Sequence, residues 1–168
     1  MSSRKNLFTL IAAILAGIGA FIFLFMSPVY FKDINQLSSS YMKTGISGTS
    51  VIFGWEILGI SLTGMHIFAL IAMLIAIAVC VLLFLVRFEV INKDFTILYI
   101  VGLILSSVLV FLSATLIPVS EALEASMDMF AQNGYDEMGF GLSFSGILSG
   151  LCLLSSAGLL VVTKANNE

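Results

Sequence analysis

Charged residues are absent from four long stretches of this chain, residues 6–31, 57–86, 95–120 and 138–163. Each is longer than the roughly 20 residues that an α-helix needs to cross a hydrocarbon core of about 30 Å. Inside lipid there is no water to bond the backbone, so such a run must become a helix. The pattern predicts spans near 7–27, 65–86, 96–117 and 141–163, with outer segments at 28–64 and 118–140, all within one membrane domain over 1–168. The first run follows Arg4 and Lys5 as a signal peptide would, but its apolar part is too long for one and no A-x-A site follows it. It is expected to remain as an uncleaved span.

The second run is overlong. Its 30 residues, 57–86, would make a helix of about 45 Å. Gly54, Gly59 and Gly64 interrupt it, and glycine weakens a helix interior. Between them β-branched and aromatic residues dominate, with Ile60 and Leu62 alternating with Ser61 and Thr63. Residues 51–62 are therefore expected to form an extracytoplasmic strand–turn–strand on the outer end of the bundle, and VYFKDI at 29–34 a further strand. Trp55 is expected to anchor near the membrane interface, where tryptophan is enriched. The preceding SSSYMKTGISGTS, 38–50, is polar and glycine-rich and reads as a loop. Two other readings stay open: an overlong second helix from Ile57, and a re-entrant loop.

The second outer segment has helical period. Pro118 ends or kinks the third span, and Ser120 is placed to cap a new helix with Glu121 and Glu124 in its first turns. Leu123, Met127 and Phe130 follow i, i+4, i+7, an apolar stripe, with Glu121, Glu124 and Asp128 on a neighbouring face and Asn133–Gly134 as the stop. Five carboxylates, Glu121, Glu124, Asp128, Asp136 and Glu137, lack the alternating ligand spacing of a calcium loop, and a solvated acidic face is expected rather than a metal site. The fold class is an all-α integral membrane protein, a four-transmembrane-helix bundle with a small extracytoplasmic β-containing cap and a short amphipathic outer helix.

Composition agrees. The chain is 60% hydrophobic and 10% charged, against about 45–50% and about 25% in soluble domains. Four spans put both termini on one side with Arg4, Lys5, Arg87, Lys93 and Lys164, while Lys32 and Lys43 lie on the other. Five basic residues against two place the termini in the cytoplasm of a plasma membrane protein. The outer side carries seven acids and two lysines, a net of −5. No basic block suggests nucleic acid.

Between lipid-embedded helices it is small residues that allow close approach. The first span offers Ala12, Ala16 and Ala20 with Ala13 and Gly17, the second Ala72, Ala76 and Cys80, and the third Gly102, Ser106 and Ser113. The fourth carries Gly146 and Gly150 as a GxxxG beside Ser145, Ser149, Cys152 and Ser156 on one continuous face. That stripe suits packing inside the bundle; the other readings are a pore wall and a homodimer contact. No Asp, Glu, Lys or Arg falls mid-span, where proton relays and ion paths place them. His66 is the only histidine, at the outer end of the second span, and is expected at headgroup level. Cys80 and Cys152 both lie in apolar runs, so no disulfide framework, zinc spacing or CxxC motif is present.

The order of a first span, SGTSVIFGWE, and three more apolar spans resembles small four-span membrane proteins of Gram-positive bacteria, and that resemblance implies no activity. The layout, with a longer first outer loop of β-character and a shorter second one, is similar to that of the claudin-type tetraspans. In FGWEILG it has Trp55 where that family has a GLW motif, but no outer cysteine follows. The expectation is a structural or interaction protein, an accessory subunit that presents its outer cap to a partner through Phe53, Trp55, Glu56, Leu123, Met127 and Phe130. No catalytic or cofactor motif is present, and an enzyme is not expected. The alternative is a transport or channel subunit forming a homo-oligomer. Helix packing is assigned to Ala16, Gly17, Ser145, Gly146, Ser149 and Gly150.

Overall fold

The computed structural model describes residues 2–35, 40–57, 59–88, 90, 95–132 and 138–165. Four helices form the body: α1 (Ser2–Phe25), α3 (Ile67–Arg87), α4 (Thr96–Phe111) and α6 (Phe144–Ala165). They close a ring in which α1 packs on α3 and α6, and α4 packs on the same two from the other side. Leu7–Phe25, Ile67–Arg87 and Phe144–Ala165 are long and apolar enough to cross a membrane, whereas the equally apolar α4 has 16 residues and is shorter.

Small residues line many of the helix contacts, Ala12, Ala13, Ala16 and Ala20 from α1, Ala69, Ala72 and Ala76 from α3, Gly146, Gly150 and Ala157 from α6, beside larger buried side chains such as Phe23, Met73, Leu103 and Leu153. Large apolar side chains face outward, among them Ile14, Ile18 and Phe21 on α1 and Leu74, Ile77 and Val81 on α3. Burying alanine and exposing isoleucine is unfavourable in water, but in lipid it lets backbones approach without loss.

Hydroxyls join the helices. Ser156 Oγ donates to the carbonyl of Ala12 and Ser149 Oγ to that of Gly19, both at 2.7 Å. Ser107 Oγ donates to Gly150 O at 2.9 Å and Ser106 Oγ to Ala72 O at 2.7 Å. Every contact within the ring thus carries at least one such bond or, between α3 and α1, the Cys80 thiol on Ala13 O at 3.3 Å.

Between the helices the chain builds a cap from both outer segments. Strands β1 (Val29–Asn35), β2 (Ser40–Ile46) and β5 (Gly139–Leu142) form an antiparallel sheet in the order β2-β1-β5. Val29 pairs with Ile46 on one side and Leu142 on the other, so the two outer segments are hydrogen-bonded into one unit. The expected strand at 29–34 is present. The expected loop at 38–50 is corrected: Ser40–Ile46 is a strand, because β1 supplies an antiparallel partner that satisfies its backbone despite its serine and glycine. The fourth helix starts at Phe144 rather than 141, because 139–142 pair with β1.

The expected strand–turn–strand over 51–62 is corrected in its first part. Val51–Phe53 belong to a short helix, α2 (Gly48–Phe53), whose Ser47 cap accepts from the Ser50 amide. Burial of Val51 and Ile52 favours this over a strand, and Gly54 at φ 107° ends it in a conformation glycine adopts freely. A true hairpin follows, β3 (Glu56–Ile57) and β4 (Ile60–Ser61), turning at Gly59 with φ 79°. Helix α3 begins only at Ile67, which disposes of an overlong helix from Ile57. The third span, expected to reach 117, keeps regular helix only to Phe111. There Ser113 contracts the backbone: its amide and its hydroxyl both donate to the Val110 carbonyl.

Candidate functional site: the outer cap

The cap is held on the bundle by tight backbone contacts. The Gly48 amide donates to Met26 O at 3.1 Å, and Gly48 lies so close to the Phe23 carbonyl that a Cβ would overlap it. The His66 amide donates to Ile52 O at 2.9 Å, and the Gly64 amide to Pro118 O at 2.8 Å. Thr63 and Val119 form an antiparallel bridge, and the Ser120 amide donates to Leu62 O. Helix α2 is therefore fixed to the end of α1 and the start of α3, and the hairpin root to residues 118–120 beyond α4.

Trp55 sits at that root. It is half-buried, its ring edge-on to Phe31 of β1 with centroids 5.8 Å apart, and Phe31 also stacks on Phe140 of β5 at 5.0 Å. The Trp55 amide donates to Thr63 Oγ1 at 2.9 Å, and its carbonyl accepts from Leu62 and Thr63. This aromatic cluster joins first segment, second segment and hairpin. Phe53 and Glu56 are exposed beside it.

The amphipathic helix is present as α5 (Glu121–Gln132), with Ser120 Oγ accepting from the Leu123 amide. Leu123 is buried, and Met127 is half-buried against the core, while Phe130 is partly covered. The stripe thus faces inward and leaves Glu121, Glu124 and Asp128 in solvent. Asp136 and Glu137, and the stop expected at Asn133–Gly134, lie outside the described residues. Among the described residues no three His, Cys, Asp or Glu side chains gather closely enough to hold a metal.

His66 is buried inside the protein, 1% exposed. Its Nδ1 accepts from the Ala69 amide at 3.2 Å, capping α3, and its Nε2 lies 3.1 Å from the Ser113 carbonyl. An acceptor at Nδ1 and a carbonyl at Nε2 select the neutral Nε2–H tautomer. Burial pushes its pKa below the ordinary histidine value.

The residues assigned to packing are used within the chain. Ser145 and Ser143 donate to the Ser27 carbonyl, and Gly146 lies against the Pro28 carbonyl. Gly150 faces the Phe111 ring, with an added Cβ only 2.6 Å from its Cζ. Gly17 faces Cys80 Sγ, and Ala16 is buried between helices. Sequence reasoning missed Ser107, Thr63 and the His66–Ser113 link; serine and threonine in apolar runs signal hydrogen bonding without revealing the partner.

No family model, curated protein or solved structure matches this chain.

Proposed function

We propose that this is a multi-pass plasma membrane protein that works as a structural or interaction subunit, with both termini cytoplasmic and the cap presented outside to a partner. The observation that carries the reading is the fate of the α6 stripe. Ser149 and Ser156, which would line a water path, are buried and donate to carbonyls of α1. The GxxxG faces are likewise filled by Pro28 and Phe111 of the same chain. What remains for a partner is the cap, which carries exposed Phe53, Glu56 and the α5 carboxylates.

Affinity purification from native membranes in mild detergent, followed by mass spectrometry, tests this. The expected result is a stoichiometric membrane or extracytoplasmic partner whose recovery drops when Glu121, Glu124 and Asp128 are changed to lysine together. A homo-oligomer with no partner, passing ions in liposomes, overturns the reading.

A further inference from the structure

We infer that the β3–β4 hairpin is a lipid-binding wedge, inserted into the outer-leaflet interface beside the shortened end of α4. The inference rests on the membrane reading above and adds a site to it.

The hairpin is an unusual object to leave in water. It has only two residue pairs, Glu56↔Ser61 and Ile57↔Ile60, and isolated two-stranded hairpins are marginal in water. Yet its tip is apolar, with Ile57 45% and Ile60 58% exposed, and Phe53 just before it 68% exposed. Several of its polar groups are already paired internally. The Trp55 carbonyl takes the Leu62 and Thr63 amides, the Trp55 amide uses Thr63 Oγ1, and Ser61 Oγ donates to Thr63 O. Glu56 is the one charged side chain of the hairpin; it is exposed and pairs with Ser61, one step behind the Ile57–Ile60 pair. The internal pairing of the other polar groups lowers the cost of leaving water.

Position selects lipid over a soluble partner. Just after β4, the Leu62 carbonyl accepts from the Ser120 amide and the Gly64 amide donates to Pro118 O, three residues before α3 begins at Ile67, where Ile67 and Phe68 are exposed. Those residues begin the outward apolar face of α3 that continues through Ile71 and Leu74, and exposed Met65 lies in the short link between the hairpin and that face. Helix α4 supplies the reason. Its 16 residues give about 24 Å, some 6 Å short of the hydrocarbon core. The chain beyond it carries exposed Leu116 and Val119, and Val119 is bridged to Thr63 next to β4. Hairpin and turn together fill the outer-leaflet depth that the helix does not reach, where a bilayer would otherwise thin.

The test uses the full chain in phosphatidylcholine–phosphatidylglycerol vesicles with no other protein. Cys80→Ala and Cys152→Ala are combined with a single cysteine at Ile60→Cys, Leu74→Cys or Glu124→Cys, each labelled with an environment-sensitive fluorophore. Nitroxide lipids labelled high on the acyl chain then act as quenchers. The expected result is blue-shifted emission and quenching at Ile60 several-fold above that at Glu124. Quenching at Leu74 with water-like emission at Ile60 overturns the wedge and leaves the membrane reading intact. Water-like emission at both overturns the two together. Should the cysteine-free background not fold, Ile60→Trp in the otherwise unmodified chain decides the matter: brominated lipids must quench it well beyond the unmodified chain, whose Trp55 is half-buried against Phe31, if the wedge is inserted, and no more than the unmodified chain if the hairpin stands in water.

Discussion

His66 ties the first turn of α3 to the carbonyl of Ser113, 47 residues away, at the point where α4 loses its regular hydrogen bonding. One imidazole therefore does two tasks. Through Nδ1 it caps a helix whose first turn contains no acid, and through Nε2 it satisfies a carbonyl released by the contraction at Ser113. Both depend on a neutral ring, because protonation would set an Nδ1–H donor against the Ala69 amide and a positive charge at the positive end of the α3 dipole.

Stability should accordingly fall in acid. The folded pKa of His66 is lowered by burial, with the Ser113 carbonyl opposing, so the unfolded chain binds the proton more readily than the folded one. Where the unfolded state holds more protons, stability rises with pH. The contribution is fully present above the ordinary histidine pKa of about 6.5 and is lost as pH falls from there through the folded value. Thermal unfolding in detergent should show the midpoint dropping below about pH 6.5. His66→Asn keeps a capping oxygen but has no imidazole to titrate, and should flatten that part of the profile. A wild-type midpoint that moves no more than the variant's between neutral and mildly acidic pH would falsify the neutral-ring assignment.

The serine bonds between helices should each be modest and collectively large. Ser149→Ala and Ser156→Ala each remove one donor to an α1 carbonyl, a loss of roughly 0.6 kcal/mol and at most about 1.7 kcal/mol per site in a membrane environment. Ser149→Leu should be far worse, because the space beyond Ser149 is the backbone of Gly19 and overpacking there adds about 1–3 kcal/mol. Unfolding of single and double alanine variants in mixed micelles checks the magnitudes, and near-additivity is expected since the two bonds share no partner.

Much of this fold was legible in the sequence, and the losses have physical causes. The charge-free runs located all four body helices because a long apolar run is a signal carried by the residues themselves. The amphipathic helix was found from Ser120 and its i, i+4, i+7 stripe, since cap and period are local signals. The strand Ser40–Ile46 was missed because its stability comes from β1 rather than from its own residues, and the helix Gly48–Phe53 because Val51, Ile52 and Phe53 favour strands until packing on the end of α1 decides otherwise. The pairing of β5 with β1 joins positions more than a hundred residues apart, and no local pattern reports it. For the cap, the ring partner of Trp55, Phe31, lay inside an expected strand with nothing to mark it as the other half of a ring pair.

That pair gives an optical test of the cap. With Phe31 edge-on to the only tryptophan, Phe31→Leu keeps an apolar side chain and removes the ring contact. The expected cost is about 0.5–1.5 kcal/mol beyond lost area, with Trp55 emission shifting to the red as water reaches it. Phe140→Leu should produce a smaller shift of the same sign, because Phe140 reaches Trp55 only through Phe31. An equal shift from both would mean that the sheet as a whole loosens rather than the ring pair alone.

Two glycines of α6 should respond in opposite directions to the same change. At Gly150 an added methyl would lie 2.6 Å from the Phe111 ring, whereas at Gly158 nothing stands within 4 Å. Gly158→Ala therefore gains helix propensity, up to about 1 kcal/mol, with no steric cost. Gly150→Ala gains the same propensity but must displace a ring held between α4 and α6, at a cost of about 1–3 kcal/mol. The Phe111 ring is partly exposed and has one escape, outward from the ring of helices. Phe111→Ala should therefore rescue Gly150→Ala while being destabilising alone, a positive coupling that a double-mutant cycle reads directly. Were Gly150 a contact between two copies of the chain instead, Gly150→Ala would change the oligomeric state and Phe111→Ala would not restore it. Size-exclusion chromatography with light scattering on the four proteins separates the two cases.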